Sequence, residues 1–144
     1  MKWQRDHFTV TDNRDDLDIE LIHGFLSNSY WAKGIPVDIV KKSIDNSLCF
    51  GLFDDGNQIG FGRAITDRVT FAYMADVFVV VSHRGLGLGK WLVSCILDHP
   101  DLQGLRRWIL ATLDAHGLYE KFGFNPLSEP ERLMEINRPN LYDP

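Results

Sequence analysis

The sequence predicts an α/β fold, a mixed and largely antiparallel central sheet with helices on both faces. Three observations predict it. Two apolar runs flank an Asp-Gly turn signal, an almost unbroken β-branched run follows them, and from there helical and extended periods alternate to the end of the chain.

The elements follow in order. Over 15–28, Leu17, Leu21, Ile22 and Phe25 share one helical face, with Asp and Asn residues just upstream to cap it. Pro36 suits the first turn of a second helix whose Val37, Val40 and Ile44 recur at helical spacing as far as Asn46. LCFGLF (48–53) and IGFGRAIT (59–66) form a hairpin around DDGNQ. FAYMADVFVVV (71–81) reads as a central strand covered on both faces, and Asp76 is its one charge. A helix runs from Gly87 to His99, where Pro100 stops it. RWILAT (107–112) is the next strand, AHGLYEKF (115–122) a short helix ended by Gly123, and LMEI (133–136) a last edge strand.

With 144 residues and 44% hydrophobic content, the chain has enough apolar side chains for one domain, 1–144, and no linker or repeat divides it. The net charge is −5 and basic residues never cluster beyond a pair, which argues against nucleic acid as a partner. No apolar run is long enough to span a bilayer and the first residues lack a signal-peptide pattern, so no membrane association and a cytoplasmic location are expected. Cys49 and Cys95 sit inside apolar patterns without metal or redox spacing. A reducing compartment and no metal are expected.

The most informative stretch is RGLGLG (84–89), between a buried strand and an amphipathic helix. Glycines there permit left-handed backbone and close approach of a ligand. The amides of a helix's first turn, with the positive end of its dipole behind them, make a site for a pyrophosphate. A tight turn without a ligand is the alternative. No GKS or GKT follows, so this is not a Walker loop, and its place in mid-chain after a hairpin does not suit a dinucleotide fold.

The segment resembles the GCN5-related N-acetyltransferase superfamily. The family signature (Q or R, x, x, G, x, G or A) is matched by Arg84, Gly87 and Gly89, and a second block by Ala115 with LYEKFGF (118–124). The order of elements agrees over most of the chain, with residues 1–47 matching in outline only. The resemblance implies that backbone groups of Val79 and Val81 pair with the pantetheine arm of acetyl-coenzyme A. It also implies that the amides of Gly85, Leu86, Gly87, Leu88, Gly89 and Lys90, after Arg84, hold its pyrophosphate. Val81 stands where many members have Pro, and Thr112 where many have an Asn that touches the cofactor.

The implied activity is N-acetylation, with acetyl-coenzyme A as donor, coenzyme A as product and a small-molecule or peptide amine as acceptor. Such transfer needs an oriented carbonyl, an uncharged amine and a proton for the departing thiolate. Tyr119 occupies the position from which the family commonly protonates the sulfur; its alternative is a packed Tyr. Asp76 lies about 10 Å before Val79 at strand rise. It is either a desolvated carboxylate acting as base or a structural group satisfied by its neighbours. His116 lies on the side of Tyr119 and is placed to tune it or reach the cofactor, or else to cap the helix. His83 reads as an exposed loop residue. Tyr30, Trp31 and Phe61 are candidate linings of the acceptor pocket, with core packing as the alternative. Cysteine nucleophiles are disfavoured among apolar neighbours, so direct transfer in a ternary complex is expected. Two other readings remain: a non-catalytic acyl-coenzyme A sensing domain and a generic nucleotide-phosphate binder. An exposed sheet edge offers a route to a homodimer.

Overall fold

The computed structural model describes residues 1–143. Six strands, β1 (Lys2–Arg5), β2 (Phe8–Thr11), β3 (Leu48–Asp54), β4 (Asn57–Thr66), β5 (Phe71–Val79) and β6 (Arg107–Leu110), form one sheet in chain order. Every neighbouring pair is antiparallel except β5 with β6, which is parallel. The predicted fold class is the observed one.

Alternation along β3 sorts side chains to two faces. Leu48, Phe50 and Leu52 pack with Leu88, Leu92 and Ile96 of α3 (Leu88–Asp98), whereas Cys49 packs with Ile22 and Leu26 of α1 (Ile19–Leu26) and Val40 and Ile44 of α2 (Val37–Asp45). Helices therefore cover both faces. The short α4 (His116–Glu120) follows β6. No helix among the described residues is long and apolar enough to cross a membrane.

Several boundaries differ from the sequence reading, each for a local reason. The β1–β2 hairpin has no counterpart in it, because the outer strand KWQR is mostly exposed and carries no apolar alternation; Asp6 turns the chain at φ 55°. The first helix starts later than expected because the Asp18 carboxylate accepts from the Leu21 amide and caps it there. The strand expected over 71–81 ends at Val79, with Val81–His83 a 3-10 turn, and it lies next to the sheet's edge strand rather than at its centre. The strand expected over 107–112 ends at Leu110. LMEI is not a strand: after a 3-10 turn at Pro130–Arg132 it runs without a strand partner, Met134 at 96% exposure, which leaves β6 as the sheet's edge.

Candidate active site

The site begins where two strands part. β5 and β6 pair over only four positions, Phe71 with Arg107 through Met74 with Leu110, after which β5 continues alone to Val79. At the parting β5 carries a bulge: Phe61 faces Phe78 and Arg63 faces Ala75, so Gly62 alone opposes Asp76 and Val77. Asp76 takes the left-handed position of that bulge, φ 57°. Beyond it, the Val80 amide donates to the Ile59 carbonyl across the ladder. By antiparallel alternation Val79 therefore turns its N–H and C=O away from β4, toward the side that β6 has left. The Val79 carbonyl accepts from Arg84 Nε at 3.1 Å.

The glycine-rich turn is open. Gly85 and Gly87 adopt φ 83° and 75°, and a Cβ at either would meet nothing within 4 Å, so left-handed backbone rather than crowding calls for glycine. Gly87 caps α3 without a side-chain bond. The Arg84 amide is used, donating to Val81 O at 3.2 Å, and Arg84–Gly85 form a turn that the Leu86 amide closes, but the amides of Gly87 through Lys90 donate to no other described residue. Five of these six residues reach solvent, while Leu88 is buried in the core and anchors the turn. Val81 lies in the preceding 3-10 turn with its side chain exposed and its carbonyl occupied by the Arg84 amide, so it does not extend the strand edge as expected.

A cavity of about 310 Å³ lies beside β6 and α4, bringing together Thr112, His116 and Tyr119 with Trp108, Leu110 and Phe124. Tyr119 stands edge-on to Phe124, ring centroids 5.8 Å apart. Burial, with a smaller contribution from the neighbouring Tyr30, pushes its phenol up from 10.0 to about 12. The hydroxyl thus keeps its proton throughout the neutral range. His116 is exposed at the start of α4, and Thr112 Oγ1 accepts from the Ala115 amide at 3.0 Å, which shapes the turn into that helix. Neither residue lies in the glycine-rich turn.

Two side-chain bonds tie the loop between α1 and α2, and a third braces the carboxylate that one of them uses. Trp31 Nε1 donates to Asp76 Oδ1 at 2.8 Å, Arg63 Nε donates to Asp76 Oδ2 at 3.0 Å, and Tyr30 Oη accepts from the Leu113 amide at 3.3 Å. Tyr30 and Trp31, which are not among that cavity's lining, are exposed. Phe61 is not: it is 1% exposed and packs against Phe78 in the core under α1 and α2. His83 is also corrected. It is half-buried, with Nε2 2.9 Å from Asp54 Oδ2 and Nδ1 2.8 Å from Ser82 Oγ, which fastens the entry to the glycine-rich turn to the β3–β4 corner.

Known proteins share this fold. The model of the acetyltransferase (GNAT) family matches residues 4–124. The chain belongs to that family. A candidate acetyltransferase of the same family from Xanthomonas campestris pv. campestris is 51% identical, with a TM-score of 0.94 over 98% of this chain and 100% of that one. A candidate acetyltransferase from Gibberella zeae is 31% identical, covering 83% of this chain and 79% of the relative. At 13% identity, a Clostridium acetobutylicum acetyltransferase crystallised with acetyl-CoA shares the fold, with a TM-score of 0.64 over 90% of this chain and 94% of that one.

Set against this family's fold, the sequence reading missed Arg63, which lies thirteen residues before its partner and becomes a neighbour only through the β4–β5 pairing. The signal was an arginine inside an otherwise apolar strand run, facing a strand that carries one carboxylate. The thiols behave as core groups: burial raises Cys49 to about 12 and Cys95 to about 11.

Proposed function

We propose that the protein is an N-acetyltransferase that moves the acetyl group of acetyl-coenzyme A to a primary amine of a small molecule or peptide, by direct transfer in a ternary complex. One observation carries the proposal: four consecutive backbone amides, Gly87 to Lys90, have no acceptor among the described residues and stand at the start of an 11-residue helix, just after the open turn at Arg84–Gly85. Donors of that kind at the positive end of a helix suit a diphosphate. The side chains agree, since space around Gly85 and Gly87 is open and Arg84 and Lys90 are exposed beside it. Val79 is free to pair through its amide with an extended amide-bearing arm in the gap beyond β6, whereas Val81 lies past the strand in a 3-10 turn.

When bound, acetyl-coenzyme A supplies an activated acyl group as its thioester. The chain's own residues have separate tasks. The turn from Gly85 to Lys90 binds the diphosphate, and Val79 aligns the arm along the strand. Tyr119 holds a proton at its hydroxyl for the departing thiolate; burial raises the phenol to about 12, which makes it a weaker acid, so its role rests on position in the cavity rather than on acidity. Asp76 lies beside the acceptor loop with both oxygens already accepting hydrogen bonds. His116 and Thr112 border the same cavity as Tyr119. The cysteines take no part, because a thiolate at either position would be desolvated.

Calorimetric titration with coenzyme A, followed by thiol release from acetyl-coenzyme A in the presence of an amine library, tests the reading. Tight binding with release for at least one amine is the expected result. Binding without release for any amine would replace it with a sensing role, and equal stabilisation by ATP or NAD would replace it with a generic phosphate site.

A further inference from the structure

Asp76 is the one charged residue in β5, and its surroundings decide what it does. It holds a left-handed conformation that strands rarely tolerate outside glycine, and such a residue persists only where its neighbours over-determine it. They do so here through both carboxylate oxygens. Oδ1 accepts from the Trp31 indole and Oδ2 from Arg63, whose Nη1 is in turn held by Ser47 Oγ at 2.9 Å. Both partners of the ion pair are largely buried, so the two charges cancel inside the network.

The other end of the network is aromatic. Trp31 has its N–H turned to Asp76 and the Tyr30 oxygen accepts from the Leu113 amide, so what these rings offer to solvent, at 41% and 60% exposure, is mostly apolar area with the Tyr30 O–H as the one donor left. The two meet edge to face at 5.0 Å, and behind Trp31 stands Phe25, stacked at 3.9 Å on Phe78. Exposed neighbouring aromatics of this kind suit a largely apolar ligand surface. Lys33, the cation in the same loop, is paired with Asp143 at 3.3 Å.

Building on the acetyltransferase reading, we infer that Asp76 is a positioning residue: braced by Arg63, it holds the Trp31 indole as a wall of the acceptor pocket, and that wall selects an amine carried on an apolar, aromatic body. The bulge places Asp76 where β6 departs, and Tyr30 reaches across to the segment after β6, so the aromatic pair bridges the mouth of the same gap. A polycationic acceptor finds no uncompensated carboxylate in the network, and an anionic one no uncompensated guanidinium.

The test uses the full chain with acetyl-coenzyme A and two probe amines, 2-phenylethylamine and spermidine. Asp76→Ala is avoided, because it would remove both acceptor oxygens as well as the charge opposite Arg63, where Asp76→Asn removes only the charge and one acceptor. Asp76→Asn keeps an oxygen for the indole, Trp31→Phe keeps a ring without the N–H, and Trp31→Ala removes the wall. Phenylethylamine is expected to exceed spermidine at least tenfold in kcat/KM. Trp31→Ala should raise its KM at least tenfold with coenzyme A affinity changed less than twofold. Asp76→Asn and Trp31→Phe should each raise KM several-fold, with a combined effect no larger than either alone, while kcat keeps the shape of its pH profile. In spectra of protein labelled with 15N at tryptophan, the indole signal lost in Trp31→Phe should move in Asp76→Asn. Loss of kcat with loss of the acidic limb in Asp76→Asn would make Asp76 the base and overturn the inference. So would a preference for spermidine, turnover of neither amine by protein that binds coenzyme A, or an unmoved indole signal. Failure of the wild type to bind coenzyme A would instead overturn the acetyltransferase reading beneath it.

Discussion

The turn at 84–90 and the loop at 29–34 are built on opposite plans. In the turn the polar groups left over are backbone amides, with Gly87 to Lys90 in a row without an acceptor among the described residues, and the side chains contribute little beyond the buried anchor Leu88. In the loop the Trp31 N–H is taken by Asp76 and the Tyr30 oxygen by the Leu113 amide, and the surface left over is mostly aromatic. Backbone donors recognise what every donor molecule of one kind shares, its diphosphate. Side-chain surfaces recognise what differs between acceptors. A fold that keeps the two apart can change acceptor without disturbing its hold on the donor.

If this division is right, substitutions on the two sides should separate in their kinetics. The largest effect is expected at Tyr119, which serves the chemistry rather than either recognition surface. Tyr119→Phe keeps the ring contact with Phe124 and removes the proton, so kcat should fall by about 100-fold, the low end for a lost general acid, with coenzyme A affinity within twofold of wild type. A loss of affinity matching the loss of turnover would move Tyr119 from chemistry to binding. Next comes the turn itself. Gly87 caps α3 at φ 75°, where a β-branched side chain is strained by about 1–3 kcal/mol. Gly87→Val should weaken coenzyme A by more than tenfold in calorimetry while the acceptor KM, measured at saturating donor, stays put. If acceptor KM rises equally, the two regions are one mechanical unit and the division fails.

How much of this could be read beforehand follows the same line. Glycines at 85 and 87 announce the turn because backbone conformation leaves a direct trace in residue type. The periods of α2, β3 and β4 were legible because apolar burial leaves a direct trace in spacing. The network around Asp76 was not, since its members at 31, 47, 63 and 76 meet only through strand register, and register around a bulge is invisible to local pattern. Phe61, open between pocket and core, proved to be core, and it stayed open for a related reason: its strand carries large apolar residues on both faces, and sequence alone does not say which face each takes. The tail at 133–136 has strand-like composition but no partner, because strand formation needs a ladder as well as propensity.

A smaller effect is expected at Thr112. Its hydroxyl accepts from the Ala115 amide ahead of α4, and Thr112→Ala should cost about 1 kcal/mol of stability, as for a lost helix-start bond. Chemical denaturation reads this directly. Coenzyme A affinity should fall less than threefold; a larger drop would give the Thr112 side chain a direct place at the donor and extend the donor surface beyond backbone.

The smallest effect, absent at neutral pH, compares the cleft with the core under alkali. Tyr119 is raised from 10.0 to about 12, Cys49 from 9.0 to about 12 and Cys95 from 9.0 to about 11, in each case first by burial. A raised value in the folded chain means that the unfolded chain gives up its proton first. Between pH 9 and about 12 the folded state therefore binds more protons than the unfolded state, and stability falls as pH rises through that window. Urea midpoints should be level from pH 7 to 8.5 with respect to these groups and decline above 9, the thiols acting before the phenol. Tyr119→Phe should leave the onset near pH 9 in place and soften the decline only above pH 10, because the early part belongs to the thiols. Thiol-reactive dye supplies the independent check: native protein at pH 8 should label much more slowly than urea-unfolded protein. Equal labelling rates would mean that a thiol reaches the surface, and would reopen the covalent route that direct transfer excludes.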